Sequence, residues 1–470
     1  MGIGEIAGDL WRNVEEVGET LTAPFSDPVI RLGVTGLSRA GKTVFITSLV
    51  ANLLDRGRMP ALQSGSAITT AYLQPQPDDT VPRFDYETHR AALTAPEPFW
   101  PESTRAVSQL RLSLRVQRQG MLGAMSGPRT VHLDIVDYPG EWLLDLGLLD
   151  QSFAEWSEET LARIENRTEA AEFLKQLDGA EPAANFEESL AKVLASSFTG
   201  YLHAAREAGF YDCTPGRFLL PGEMEGSPVL TFAPLRMTGK AAKGSLQAEM
   251  ERRFEAYKSR VVKPFFRDHF ARIDRQVVLV DALGAIHSGP AALEDLRGAM
   301  ARILSAFRPG RNAWLTTLLR GKRVEKILFA ASKADHLHHL QHPQLTAVLE
   351  ALLREAKDRA DFSGAATKAM SIAALRATVE ETISHKGEDV NCVSGILLDS
   401  GKRAAMYPGT LPEDPNQLLS AARSGADAWL EADYNLMRFA PAPLHLKRGD
   451  GLPHIRLDKA VQFLIGDRLS

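Results

Sequence analysis

Residues 33–49, GVTGLSRAGKTVFITSL, constrain the fold more than any other stretch of this chain. They contain the full pattern G-x-x-x-x-G-K-[ST], between an alternating apolar segment at 29–34 and apolar residues at helical spacing from 42 to 54. Glycines let a backbone wrap closely around phosphate oxygens, and the N–H groups at a helix start point at the anion. Lys42 is predicted to reach the β- and γ-phosphates, and the Thr43 hydroxyl to bind Mg²⁺. The stretch therefore predicts a strand, a phosphate-binding loop and a helix.

Composition narrows the class of protein. A chain of 470 residues with 44% hydrophobic and 24% charged residues is typical of a soluble globular protein with two or three domains. A net charge of −5 argues against general nucleic-acid binding. Two cysteines fit a reducing cytosol, and the sequence contains neither a membrane-spanning apolar run nor a secretory signal. We also find no zinc-site, nucleophile-triad or DNA-binding pattern.

The first part of the chain leads to a hairpin. Residues 4–21 predict an amphipathic helix that packs on the domain, with peripheral membrane contact as the alternative. Residues 56–104 are rich in Pro, Asp and Gly and predict a long, structureless functional connection. Alternating apolar residues at 110–116 and 131–137 then predict two strands of a hairpin.

The second hairpin strand ends in Asp137-Tyr138-Pro139-Gly140. A carboxylate at the end of a strand downstream of a phosphate loop is placed to hold Mg²⁺. The Gly140 N–H is predicted to meet the γ-phosphate, so that the segment after it senses hydrolysis.

The rest of the chain alternates again after a helical stretch. Residues 141–275 predict a mainly helical insertion, interpreted as a separate lobe with its own core. Buried strands are predicted at 276–281, 326–331 and 369–374, with helices at 291–307 and 345–359. A strand at 393–398 and a helix at 417–430 predict a C-terminal part that packs on the domain of the phosphate loop, and whether it extends the sheet stays open.

This order of segments resembles a translation-factor-type GTPase domain. The motif Ser332-Lys333-Ala334-Asp335 follows a predicted strand, where Asn commonly stands in place of serine. In such domains a carboxylate like that of Asp335 accepts two hydrogen bonds from guanine N1 and N2, and the stem of Lys333 covers the ribose or base. Small residues at Ala373 and Ala374 then let a backbone N–H reach guanine O6.

The whole chain resembles the YcjX family of bacterial stress-associated P-loop proteins, through GLSRAGKT, FWPEST, DYPGEW, SKADH and AALRAT. The resemblance implies an α/β, Ras-like P-loop NTPase fold, with a mostly parallel sheet, helices on both faces and a large helical insertion. It also implies GTP/GDP binding, a cytoplasmic location and a link to a neighbouring inner-membrane stress protein. Peripheral contact with that membrane and self-association stay open.

The expected organisation has five parts. Residues 1–28 form an N-terminal helix, 29–140 and 276–390 the two parts of the GTPase domain, 141–275 the insertion, and 391–470 a C-terminal extension.

Several residues carry the expected chemistry. Thr104 is the candidate switch threonine that closes on Mg²⁺, with Ser103 as its competitor, while Arg105 meets the α-phosphate. Trp100 either covers the ribose or base or anchors its loop. Arg39 stands where guanylate-binding and atlastin-like GTPases carry a cis-acting arginine finger; the alternative is a surface arginine. Glu141 replaces the water-positioning glutamine, so slow hydrolysis is expected.

The expected site can be stated as three sets. The catalytic set is Lys42, Arg39, Thr104 and Gly140, and the Mg²⁺ set is Thr43, Thr104 and Asp137. The nucleotide-binding set is Gly36, Ser38, Arg39, Ala40, Gly41, Lys42, Thr43, Val44, Trp100, Ser103, Thr104, Arg105, Lys333, Asp335, His336, Ala373 and Ala374. His336 is expected at the base edge. His338, His339 and His342 form a small cluster that is expected to be solvated, and a metal site is the alternative.

Three functions compete on this basis. A GTP-binding switch with slow Mg²⁺-dependent hydrolysis leads, ahead of an ATP-using P-loop enzyme and a scaffold that holds GDP structurally.

Overall fold

The computed structural model describes residues 27–37, 39–102, 106–117, 127–237, 239–305, 324–362, 365–385, 387–429 and 434–469. The predicted helix at 4–21 and most of the turn between the two hairpin strands lie outside these residues. Within the described part, a seven-stranded sheet has the order β2-β3-β4-β1-β5-β6-β7. Its strands are β1 (Val29–Gly36), β2 (Ile68–Gln74), β3 (Ser108–Val116), β4 (Arg129–Asp137), β5 (Arg275–Val280), β6 (Lys326–Ala331) and β7 (Ala366–Ser371).

Strand pairing confirms the predicted α/β class. β1 pairs in parallel with β4 and β5, and β5, β6 and β7 continue in parallel. β3 pairs antiparallel with β4 as the predicted hairpin, and β2 pairs antiparallel with β3 at the sheet edge. The carboxyl ends of β1, β4, β5 and β6 therefore meet at one edge, where ligands bind in open parallel sheets.

Helices cover both faces of this sheet. The helices before the insertion are α1 (Lys42–Leu54) and α2 (Tyr86–Thr94). Val277 and Leu279 of β5 belong to an apolar cluster that includes residues of α1, whereas Val278 and Val280 belong to a second cluster on the other face. Successive strand residues point to opposite faces, so this apolar run is buried on both sides, as predicted.

The connection at 56–104 is more ordered than its composition predicts. It contains α2 and the edge strand β2. The expectation of a structureless loop was therefore wrong: β2 finds a partner in β3, which the local Pro- and Asp-rich sequence does not reveal.

The segment between β4 and β5, the predicted insertion, contains helices. Its helices are α3 (Gly140–Leu144), α4 (Phe153–Ile164), α5 (Ala171–Asp178), α6 (Glu188–Glu207), α7 (Gly216–Leu219), α8 (Leu246–Tyr257) and α9 (Lys263–Asp268). Trp156 stacks on Phe254 with ring centroids 5.1 Å apart, at the centre of an aromatic group. These side chains share one apolar cluster with Val278 and Phe329 of the sheet. The insertion's core thus continues into the sheet face and does not form the separate core that the sequence suggested.

The second half of the described chain completes the sheet and adds a small one. Its helices are α10 (Ala282–His287), α11 (Pro290–Ser305), α12 (His342–Phe362), α13 (Asn416–Arg423) and α14 (Leu457–Ile465). Strands β8 (Val379–His385), β9 (Glu388–Ile396) and β10 (Arg403–Met406) form a separate antiparallel sheet in the order β10-β9-β8. Within the described residues, the C-terminal part therefore adds no strand to the central sheet, and the predicted boundary at 391 falls within β9. Helix α14 packs in the same apolar cluster as α1.

Candidate nucleotide site

The loop between β1 and α1 has the shape that a phosphate cradle requires. Arg39 and Gly41 both have left-handed backbones, with φ of 64° and 83°. The Ala40 N–H donates to the Leu37 carbonyl at 3.1 Å, which closes a turn before the helix. Helix α1 begins directly at Lys42, so its free N–H groups face the space that the loop encloses. Ser38 lies outside the described residues.

Lys42 lies across this loop. Its Nζ donates to the Gly36 carbonyl at 3.3 Å. Ala40 is buried and Val44 half-buried in the first turn of α1, whereas Arg39 is exposed. An ammonium held inside the loop, together with helix N–H groups, provides the positive field that a triphosphate needs.

Hard oxygen donors lie next to the loop. Thr43 is 6% exposed, and its hydroxyl is 3.5 Å from the Glu102 carbonyl. Asp137 ends β4, beside Val34 of β1, and is 1% exposed. A hydroxyl and a carboxylate are the ligand types that Mg²⁺ prefers, so this donor set fits the predicted ion. Ser103, Thr104 and Arg105 lie outside the described residues, but Glu102 brings the chain before them to Thr43.

Gly140 packs directly against the phosphate loop. A Cβ at this position would lie 2.3 Å from the Gly36 carbonyl oxygen and 2.9 Å from the Leu37 nitrogen. Only glycine permits such an approach of two backbones. The D-x-x-G segment and the phosphate loop are therefore in contact, as a γ-phosphate sensor requires.

Glu141, the next residue, turns away from solvent. It is 4% exposed, and its carboxylate lies 3.9 Å from the Arg206 guanidinium on α6. A Cβ at Gly216 would lie 2.3 Å from the Glu141 carbonyl oxygen, so the insertion touches the backbone right after Gly140. The Gly216 N–H also donates to Asp145 at 2.7 Å.

Tyr211 joins the insertion to the end of β5. The Tyr211 hydroxyl donates to the Asp281 carbonyl at 3.1 Å. Burial raises the pKa of Tyr211, the Asp281 charge raises it further, and the Arg39 charge lowers it.

The motif that is predicted to recognise the base, residues 332–335, follows β6. Lys333 has a left-handed backbone with φ of 59°, and its ammonium pairs with the Asp281 carboxylate at the end of β5. Asp281 also caps α10 by accepting from the Gly284 N–H at 3.0 Å. Asp281 is the last residue of the strand predicted at 276–281, but no role was predicted for it. Its position as an acidic residue at the carboxyl end of a parallel strand could have indicated a site residue.

Asp335 is 5% exposed, and a hydrogen bond fixes the orientation of its carboxylate. Its Oδ2 accepts from the Ala377 N–H at 2.8 Å, and its carbonyl accepts from the Thr378 hydroxyl. Both partners are the last two residues of the AALRAT segment, and no role was predicted for them because only the O6 donor was sought there. A carboxylate held in this way presents its remaining lone pairs in a fixed direction.

Ala373 differs from the prediction. Its N–H donates to the Ile455 carbonyl at 3.1 Å, and its own carbonyl accepts from Ile455 at 2.8 Å. This N–H is therefore committed to the C-terminal segment and does not face guanine O6. Ala374 is half-buried and packs against the α1-side apolar cluster.

Trp100 and His336 both contact the C-terminal segment. The Trp100 Nε1–H donates to the Phe439 carbonyl at 2.8 Å, and the His336 ring meets the Phe439 ring edge-on at 5.5 Å. Burial lowers the pKa of His336. Of the two roles predicted for Trp100, the structure favours the anchor. Phe439 had no local motif that would have revealed it.

Of the three nearby histidines, His339 is exposed, His338 half-buried and His342 buried, so only His339 has the solvent exposure that was predicted. His342 is 3% exposed, and its Nε2 lies 2.8 Å from the Ala334 carbonyl, so it supports the turn that carries Asp335. His338 and His339 face Glu380 of β8.

Among the described residues, we find no helix with the length and apolarity that crossing a membrane requires.

Comparison with known proteins agrees with this geometry. The model of the YcjX-like family (DUF463) matches residues 30–469. The "Ras-like GTPase YcjX" of Shewanella oneidensis is 35% identical, covering 97% of this chain and 98% of the relative. The protein of the same name from Escherichia coli is 36% identical, covering 94% and 96%. Because the match extends over nearly the whole of both chains and includes the phosphate loop, this chain belongs to the YcjX-like family.

Proposed function

We propose that this chain binds GTP and GDP and hydrolyses GTP slowly with Mg²⁺, acting as a nucleotide-controlled switch. The observation that carries the proposal is the packing of Gly140 on Gly36 together with that of Gly216 on Glu141. A γ-phosphate that accepts a hydrogen bond from the Gly140 N–H would displace the Gly140 backbone. This backbone packs against Gly36, and the next residue, Glu141, packs against Gly216 of the insertion. The nucleotide state therefore reaches the insertion through direct contact. The relatives' printed name, Ras-like GTPase, supports the same activity.

The proposed reaction is in-line attack of water on the γ-phosphorus. A bond forms between the water oxygen and phosphorus, the bond from phosphorus to the β–γ bridging oxygen breaks, and the products are GDP and phosphate. Mg²⁺, held by Thr43 and Asp137, would supply charge neutralisation at the β- and γ-oxygens. Lys42 and the N–H groups of α1 stabilise the charge that develops on the phosphoryl oxygens.

Two features set the proposed rate. Glu141 stands in the water-positioning place, and its buried carboxylate faces Arg206 and so does not orient water. Arg39 is exposed on the loop and free to swing towards the γ-phosphate as a cis-acting finger. We expect a kcat below about 1 s⁻¹ without a partner.

Phosphate release with GTP or ATP, with and without Mg²⁺, tests the activity. Lys42→Ala should abolish GTP turnover, and ATP should turn over at background rate. Arg39→Ala should lower kcat by at least about tenfold if it acts as the finger, since a well-placed arginine contributes about 10³–10⁵. The matched control is Arg448→Ala, an exposed arginine of the C-terminal segment. Equal kcat for the two arginine variants would remove the finger role, and equal turnover of ATP would refute the guanine assignment.

The family resemblance supports the remaining parts of the proposal: a role in a stress response, a cytoplasmic location and association with an inner-membrane stress protein. Co-purification with membranes from stressed and unstressed cells tests this association.

A further inference from the structure

Three side chains outside the nucleotide site converge on one point. His338 Nε2 and His339 Nδ1 lie 3.8 Å and 2.8 Å from Glu380 Oε2, and the three atoms lie within 4.8 Å of one another. A tetrahedral zinc site with bonds of about 2.1 Å has ligand atoms about 3.4 Å apart. The two separations bracket this value, so small side-chain movements would complete the geometry.

The backbone and neighbouring groups aim Glu380 at the two rings. Its Oε1 accepts from the His339 N–H at 3.2 Å and lies 3.8 Å from Arg376 Nη2. This leaves Oε2 as the oxygen that faces both imidazoles. His338 is 11% exposed at the side chain, Glu380 25% and His339 60%, so the cluster is open to solvent on one side only.

The ligand chemistry selects the kind of ion. Two imidazole nitrogens and one carboxylate suit zinc and other late first-row divalent metals, whereas Mg²⁺ prefers oxygen ligands alone. We propose that His338, His339 and Glu380 form a binding site for a late first-row divalent metal such as zinc, with water in the fourth position. Metal binding here would replace the hydrogen bond between His339 Nδ1 and Glu380 Oε2.

The site connects two segments that hold the base-recognition carboxylate. His338 lies three residues after Asp335, and Glu380 two residues after Thr378, whose hydroxyl bonds to the Asp335 carbonyl. A metal that ties these segments together restrains the loop around Asp335. We therefore expect the metal to slow GDP release; this part of the inference rests on the proposed function.

The binding test uses the untagged full-length chain, freed of metal with a chelator. Zinc chloride is titrated against a chromophoric chelator in excess Mg²⁺, for wild type, His339→Ala and Glu380→Gln. The control is His445→Ala, an exposed histidine of the C-terminal segment. We expect wild type and control to bind one equivalent and both cluster variants to bind at least about tenfold more weakly. Equal affinity in all four proteins, or displacement of zinc by Mg²⁺, would overturn the site.

Two further measurements keep the result interpretable. The midpoint of thermal unfolding without metal should be the same for wild type and His339→Ala, because His339 is largely exposed. Weaker zinc binding by the variant then reflects the loss of a metal ligand and not a loss of folded protein. Release of a fluorescent GDP analogue should slow several-fold with zinc in wild type and not in His339→Ala; an unchanged rate would overturn the restraint on the base loop. A chain that binds zinc at the cluster but no guanine nucleotide would refute the proposed function and leave the metal site standing.

Discussion

Replacement of Gly140 by alanine tests the contact between the D-x-x-G segment and the phosphate loop. The added Cβ would lie 2.3 Å from the Gly36 carbonyl oxygen, roughly 1 Å closer than the 3.4 Å at which ordinary contact begins. All three of its nearest atoms are backbone atoms of Gly36 and Leu37, which no side-chain rotation relieves. One of the two segments must therefore move by about 1 Å.

The size of this movement determines the expected losses of stability and of activity. Overpacking of a close contact typically lowers the free energy of unfolding by about 1–3 kcal/mol. A displacement of about 1 Å at a reacting group lowers the rate by about 10²-fold. We therefore expect Gly140→Ala to lose stability, to lose most GTP hydrolysis, and to bind GDP better than GTP, because GDP does not need the Gly140 N–H.

Urea unfolding without nucleotide, GTP and GDP titrations and phosphate release measure these effects. The control is Gly200→Ala, because a Cβ at Gly200 within α6 meets no atom within 4 Å. Alanine there should raise the free energy of unfolding by about 0.5–1 kcal/mol and leave nucleotide binding unchanged. Wild-type stability and GTP affinity in Gly140→Ala would show that the two backbones do not touch, and would refute the proposed route to the insertion.

Two further predictions concern the insertion and the C-terminal segment. Burial raises the pKa of Asp145 to about 7 from 3.8, so between about pH 4 and 7 the folded state holds a proton that the unfolded state has released. The free energy of unfolding should therefore fall as the pH rises through this window, by up to about 4 kcal/mol, and Asp145→Asn should flatten the fall; equal pH slopes in urea unfolding would contradict it. Trp100→Phe removes the bond to the Phe439 carbonyl and should lower the free energy of unfolding by about 1–3 kcal/mol with unchanged GDP affinity, whereas the reverse pattern would show that Trp100 covers the base.

Most strands of the central sheet can be predicted from sequence because the pattern of apolar residues that indicates a strand lies within that strand. The apolar run before Asp281 and the alternation before Asp137 each reflect burial that a strand imposes on its own residues. The loop at residues 36–43 carries its conformation in its glycines and its chemistry in Lys42 and Thr43. The strand–loop–helix prediction was therefore confirmed in outline.

What the sequence did not predict depends on partners far along the chain. The Ala373 N–H donates to the Ile455 carbonyl. Trp100 donates to the carbonyl of Phe439, which lies more than 300 residues away from it in sequence. The edge strand β2 is defined by its pairing with β3, not by its own alternation. Periodicity contains no information on such contacts, so the orientation of individual site residues had to come from the structure.

Nucleotide selectivity at Asp335 tests the central claim most directly. The Ala377 N–H holds Asp335 Oδ2 at 2.8 Å, so an asparagine at this position should keep its carbonyl oxygen there and turn its NH₂ group towards the base. Such a donor opposes the N2 amino group of guanine and matches the O2 oxygen of xanthine. In competition titrations with GDP, ADP and xanthosine diphosphate, wild type should prefer GDP. Asp335→Asn should bind GDP at least about tenfold more weakly than wild type and should bind xanthosine diphosphate more tightly. Equal affinity of wild type for GDP and ADP, with no change of preference in the variant, would contradict guanine recognition by this chain.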